Sequence, residues 1–439
     1  MRGLIASVTP GTATTTPGDA AMLRLAEEDP RDAFARAAWS GVVEPGDRAA
    51  MLLVHALGAW PALGLLHSDP SAAAVRRELV GAADEGEADA AADALAVPER
   101  EWAAALARWR PRADPAAAVR HLRQAATIGA FLLTPASSLW PLGVDDLGEH
   151  GPMALWWRGS AEAIAGCARS IALVGARAAT GYGEHVALEA SAGLVDRGFA
   201  IVSGAAYGID GTAHRAALAS GGTTIAILAG GVDRFYPSGH DALLARIARE
   251  GAVVSELPCG SAPTRWRFLQ RNRLIAAASR ATIVLEAGWR SGSLNTAGHA
   301  ASLGRPLGAV PGPVTSVSSA GCHRLLREYD AVCVTDAEQM AELVTGVHAG
   351  DAAGGGADGG WADGARSTAG AASTGAVRGA EASPEERRVV DAMSMRSARS
   401  ELDIARRSGL SVAAVQTVLG GMHLEGRVSE RSDGWVLRR

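Results

Sequence analysis

Apolar and polar positions along this 439-residue chain follow two different periods, and the change of period divides it. From about Ala21 to Leu132 the apolar side chains recur at helical spacing, as Trp102, Leu106 and Trp109 do at i, i+4 and i+7. That spacing predicts a helical domain over 21–132. A tail over 1–20, rich in Thr, Ala, Gly and Pro and without period, is expected to be disordered. Residues 133–170, with Trp140-Pro141 and Trp156-Trp157, read as a connector packed on the next domain.

Across 171–348 the texture changes to short apolar runs separated by helical stretches. The runs are Ile171–Val174, Ala200–Ser203, Thr224–Leu228, Ala252–Ser255, Thr282–Glu286, Leu307–Val310 and Ala331–Thr335. Helices such as Glu184–Arg197, Asp210–Ala219 and Asp241–Glu250 fall between them. Strands buried on both faces are apolar throughout, and crossover helices make their pairing parallel. The expected fold class is therefore α/β, a doubly wound parallel sheet. Residues 349–382, mostly Gly, Ala, Ser, Thr and Asp around a lone Trp361, predict a flexible linker. The block 383–439 reads as helices Pro384–Met393, Ser400–Ser408 and Ser411–Glu425, then a hairpin around Asp433-Gly434. Three helices and a hairpin are the pattern of a winged helix.

Composition narrows the chemistry. All 42 basic side chains are arginine, and the chain has no lysine. This excludes a lysine Schiff base, a P-loop of the G-x-x-x-x-G-K-[ST] type and a kinase-type phosphate-pairing lysine. The net charge of −5 predicts no general attraction to nucleic acid, so any basic surface must be local. Cys167, Cys259, Cys322 and Cys333 form no C-x-x-C pair, so neither a metal site nor a disulfide framework is expected, and a reducing cytoplasm fits. The apolar run Leu4–Val8 is too short for a signal peptide. The stretch Met51–Leu66, interrupted by His55, Gly58 and Pro61, is too short to span a bilayer, so no membrane insertion is expected.

Ligands of a doubly wound sheet bind beyond the carboxyl ends of its strands, so the residues just after each strand carry the information. Gly175-Ala176-Arg177 follows the first strand, Ser203-Gly204-Ala205-Ala206-Tyr207-Gly208-Ile209-Asp210 the second, and Ser291-Gly292-Ser293 the fifth. Glycines and hydroxyls at four such ends, Gly230-Gly231 included, predict an anion-binding rim. Arg177 breaks the dinucleotide fingerprint at its second glycine, so no dinucleotide and no other cofactor is expected. From Leu257 to Leu285 the chain carries Arg265, Arg267, Arg271, Arg273 and Arg280 with Trp266 and Phe268, and no acid. Cations interleaved with rings make a single-strand-binding composition; the competing reading is a solvated basic helix start with Phe268 in the core. Catalytic groups are sparse: His214 four residues after Asp210, and the lone carboxylates Glu256 and Glu286. No triad order, carboxylate pair or nucleophile elbow stands out, so no catalytic residue is expected.

Together these blocks resemble the DNA-processing protein A family (DprA/Smf), whose members load RecA recombinase on incoming single strands in natural transformation. The matching blocks, over about Trp140 to Val344, are Val174–Arg177, Ser203–Asp210, Tyr236-Pro237, Ser255–Pro258, Arg271–Ala276, Ser291–Leu294 and Val310–Gly312. The resemblance implies a Rossmann-like domain that binds single-stranded DNA, forms a homodimer and has no catalytic turnover. It gives Arg177 a grip on a DNA phosphate, Arg265 (often lysine in the family) the same role on the facing loop, and Phe268 a base to stack on. The expected DNA contacts are Arg177, Ser203, Gly204, Gly208, Arg265, Arg267, Phe268, Arg271, Asn272, Arg273, Ser291, Gly292 and Ser293. His240, Leu269 and Asn295 depart from the usual Asn, Pro and S-G-S-L-I-T pattern. The winged helix resembles the terminal domain of some members. Its third helix has only Gln416 suited to reading bases, which favours a protein-contact or auxiliary role. Two other readings are weaker. A nucleotide-processing enzyme like the lysine-decarboxylase-like phosphoribohydrolases would need a P-G-G-x-G-T loop, and a nucleotide-sensing regulator would need a charged recognition helix.

Overall fold

The computed structural model describes residues 29–84, 88–345 and 382–438. The expected tail, Trp361 and all of the expected linker but its last residue lie outside them. The chain opens with α1 (Pro30–Val42), α2 (Arg48–Leu57), α3 (Ala59–His67), α4 (Ala72–Asp84), α5 (Ala88–Ala96), α6 (Glu99–Trp109) and α7 (Ala117–Thr127). Asp29 accepts a hydrogen bond from the Arg31 N–H, and Asp47 from the Ala50 N–H, so α1 and α2 begin at side-chain caps. Trp102, Leu106 and Trp109 are buried together as their spacing predicts. Among the described residues no single helix is long and apolar enough to cross a membrane; α2 and α3 meet at 114°.

One sheet of nine strands runs β1-β2-β6-β5-β4-β3-β7-β8-β9. Its elements are β1 (Phe131–Leu133), β2 (Leu155–Gly159), α8 (Ala161–Ala165), β3 (Ser170–Gly175), α9 (Gly181–Asp196), β4 (Ala200–Ser203), α10 (Ile209–Ala219), β5 (Thr224–Ile227), α11 (Asp241–Glu250) and β6 (Ala252–Ser255). Then come α12 (Arg265–Ala278), β7 (Ala281–Glu286), α13 (Ser293–Ser302), β8 (Leu307–Ala309), α14 (Ala320–Glu328), β9 (Val332–Cys333) and α15 (Ala337–Thr345). From β3 to β9 every pairing is parallel. All seven apolar runs became strands.

The segment read as a connector adds two more. β2 pairs antiparallel with β6, and β1 antiparallel with β2. Their brevity hid them: β1 has 3 residues, too few to show a period. Trp156 and Trp157, adjacent on β2, enter the cores on opposite faces of the sheet. The Trp156 indole donates to the Ser40 hydroxyl at 3.1 Å, and the apolar residues of α1–α7 form one core with Trp156, Leu244 and Val253. Along β3 the faces alternate. Ile171 and Leu173 pack with α9 and α10, Ala172 and Val174 with α12 and α13.

The last unit is α16 (Pro384–Ala392), α17 (Glu401–Ser408), α18 (Val412–Leu424) and the hairpin β10 (Val428–Arg431) and β11 (Gly434–Leu437), a winged helix. It rests on the first helices: Arg112 donates to the Arg406 carbonyl, and Arg406 to the Pro111 carbonyl, each at 2.6 Å. Gln416, the one side chain suited to base reading, donates to Glu401 at 2.6 Å.

Candidate nucleic-acid interface

Strand order reverses at β3, whose neighbours β4 and β7 lead into opposite halves of the sheet. The loops leaving β3 and β7 therefore diverge, and a crevice opens at their carboxyl ends. It is a cleft of about 760 Å³, lined by Arg177 and its loop, by Phe268, Leu269, Arg271 and Asn272 of α12, and by Gly288 to Ser293. Val317 and Ser318 complete the rim.

Arg177 is exposed and lies over the Phe268 ring at 5.2 Å. Phe268 is half-buried, with Arg271 at 5.8 Å and the Tyr236 ring at 5.4 Å. Arg271 is buried; its guanidinium donates to the Gly204 carbonyl at 2.7 Å and to the Ile227 carbonyl. Burial pulls its pKa down to about 10, opposed by Asp210 and helped by Arg177, so it stays charged at neutral pH. A Cβ on Gly204 would collide with the Arg271 guanidinium, which is why the position is glycine. Gly208 has φ +73°, and a Cβ there would run into the Ala176 carbonyl.

The second glycine loop thus supports the site from behind. The Ser203 hydroxyl is buried and donates to the Leu173 carbonyl at 2.6 Å. The N–H groups of Gly204 and Ala206 donate to Asp210 at 3.1 and 3.4 Å, so they are not directed at a ligand. The loop after β7 does face the cleft. Ser291 and Ser293 share a hydroxyl hydrogen bond of 2.8 Å, and the Asn272 amide donates to Asn295 at 3.1 Å, tying this loop to α12.

Three arginines expected at the interface, Arg265, Arg267 and Arg273, do not line the cleft. Arg267 pairs with Glu44 at 2.7 Å, beside Arg112 at 2.5 Å. Burial raises the Glu44 pKa, but Arg267 and Arg112 outweigh it and hold the carboxyl at about 2. Arg273 grips both oxygens of Glu256, at 2.8 and 2.7 Å, in the interior. The acid-free run from Leu257 to Leu285 draws its carboxylates from outside itself: one is 223 residues before Arg267, the other 17 before Arg273. Arg265 is exposed at the start of α12, where its backbone N–H donates to Asp391 of α16 at 3.0 Å; it does not line the cleft.

The catalytic candidates are occupied. His214 is buried 2.7 Å from the Thr224 hydroxyl, and burial, with His240 and Arg271 adding to it, pushes its pKa down to about 3. Glu286 accepts from the Thr180 N–H at 2.9 Å and hydroxyl at 2.6 Å, and Glu256 is held by Arg273. Sequence reasoning missed Trp289 and Arg290, both exposed and both lining the cleft. The signal available was an aromatic-basic pair directly before Ser291-Gly292-Ser293.

Sheet, switch-point cleft and winged helix define a doubly wound α/β protein with an arginine- and aromatic-lined site at its strand ends. The family model for DNA recombination-mediator protein A matches residues 131–345, starting at β1, and that for the DprA winged helix domain matches 375–434. A Mycobacterium tuberculosis protein named for DNA processing as DprA is 45% identical over 321 residues, covering 71% of this chain and 78% of its own length. The DNA processing protein DprA of Streptococcus pneumoniae (strain R6) is 38% identical over 199 residues, 45% of this chain and 70% of that protein. The X-ray structure of DprA from Streptococcus pneumoniae superposes with a TM-score of 0.50 at 29% identity, covering 60% of this chain and 89% of that one. This chain belongs to the DNA-processing protein A family.

Proposed function

We propose that this chain is a non-catalytic single-stranded DNA-binding mediator that holds a strand in the switch-point cleft and hands it to RecA during natural transformation. The carrying observation is the cleft itself, where an exposed arginine, a ring and a Ser-Gly-Ser loop converge at the strand ends. Arg177 contacts a phosphate, Phe268 a base, and Ser291 to Ser293 the backbone oxygens. Arg271 supplies fixed positive charge behind them. Arg265, exposed at the start of α12 but outside the cleft, takes a phosphate beyond it. The engagement of Asp210, Glu256 and Glu286 in internal bonds supports binding without turnover. The protein acts in the cytoplasm as a homodimer through its Rossmann-like domain, where β9 leaves an open sheet edge with Val332 and Cys333 exposed.

The test is a mobility shift with single- and double-stranded DNA, followed by RecA displacement of a single-strand-binding protein. Preference for the single strand, and faster RecA loading with this protein present, are expected. Equal binding of both DNA forms, or release of free base from nucleoside monophosphates, contradicts the reading.

A further inference from the structure

The described tryptophans are buried or half-buried with one exception. Trp39, Trp102, Trp109, Trp140, Trp156 and Trp157 are buried, and Trp60, Trp266 and Trp435 are half-buried. Trp289 is 58% exposed, alone in this among the described tryptophans. Its apolar ring forgoes the burial that stabilises the others, and it does so on the rim of the cleft. It shares that rim with Val317, itself 83% exposed.

The two aromatic side chains lining the cleft are not equivalent. The Phe268 ring is hemmed in by Arg177 at 5.2 Å, Arg271 at 5.8 Å and Tyr236 at 5.4 Å. Its side chain is half-buried, against the 58% exposure of Trp289. Trp289 has one cation near it, Arg324 at 5.2 Å, whose guanidinium is itself fixed by Glu328 at 2.7 Å. A cation over an indole face orients the ring and leaves its other surface to solvent. Arg290 follows, exposed, so cation and ring alternate along the loop as they do where a single strand tracks a protein surface.

We infer that Trp289 is a base-stacking surface of this cleft, taking an unpaired nucleobase of a single strand while Arg290 faces the adjoining phosphate. The inference rests on the reading of the cleft as a single-strand site. It adds to Phe268 of α12 a second and more exposed ring, on the β7–α13 loop. A paired base, already stacked in a duplex, offers no free face to it.

The experiment compares wild type, Trp289→Ala and Trp289→Tyr on oligo(dT) and on an abasic strand of equal length, with Arg177→Ala as reference. Trp289→Ala is expected to weaken oligo(dT) binding about tenfold, with most of the affinity kept by Trp289→Tyr, because stacking needs a ring of any kind. On the abasic strand the three proteins should bind alike. Intrinsic fluorescence should be quenched by oligo(dT) in wild type, and most of that quenching lost in Trp289→Phe. Equal weakening on both strands would show a backbone or structural role and overturn the inference. Unchanged oligo(dT) affinity in Trp289→Ala while Arg177→Ala binds poorly would overturn it and leave the cleft standing. If neither variant changes binding, the cleft reading falls with it.

Discussion

Two regions around α12 use the same residue type to different ends. In one, Arg267 and Arg273 are buried against Glu44 and Glu256, each carboxylate within 2.8 Å. In the other, Arg271 braces a cleft whose exposed cation, Arg177, comes from a different loop. An arginine that has been desolvated and paired cannot also release counterions from a phosphate chain. Arginine count in a helix therefore measures nothing about DNA affinity until the carboxylates that meet it are known.

The largest expected effect breaks the buried side. Glu44→Ala leaves Arg112 and Arg267 facing each other without a carboxylate, at a cost of about 3–5 kcal/mol in urea unfolding. Arg273→Ala, which strands Glu256, should cost a similar amount. The folded fraction of both variants should bind oligo(dT) as wild type does. A matching loss of affinity would place the buried arginines in the interface after all. Acid should find the same junction. The Glu44 pKa is held near 2, below its ordinary 4.5, so its contribution is complete above pH 4.5 and is lost as pH falls toward 2. A Glu44→Gln variant should lose that part of the acid transition; an unchanged acid limb contradicts the assignment.

Smaller effects sharpen the cleft side. Phe268→Ala should cost about 1–3 kcal/mol of single-strand affinity by lost stacking. A change of only a few tenths would make Phe268 a prop for Arg177 and not a stacking ring. Smallest in stability is Arg177→Ala, expected to shift unfolding by no more than about 0.5 kcal/mol because its side chain is exposed.

Much of this molecule was legible in the order of its residues. Seven apolar runs became parallel strands, six of them because a strand buried on both faces is apolar throughout; β9, at the sheet edge, is exposed. Gly175, Gly204 and Gly208 were expected to let the backbone approach a ligand, but what a Cβ at each would meet is the protein itself: Ile209, Arg271 and the Ala176 carbonyl. β1 and β2 were not legible, being short and split by a 3-10 segment over Leu142–His150. Nor was the fate of Arg267: an ion pair between residues 223 positions apart leaves no local trace. Trp289 went unread for the opposite reason. Its local signal, one aromatic-basic pair before Ser291-Gly292-Ser293, carries little weight until its exposure is known.

The central claim, that the switch-point cleft is where the single strand binds, is tested most directly by the salt dependence of oligo(dT) affinity in Arg177→Ala. The slope of log K against log salt should become shallower by about 0.7, one phosphate contact on a single strand, while Arg267→Ala folded protein keeps the wild-type slope. An Arg177→Ala protein with the wild-type affinity and slope would contradict the account.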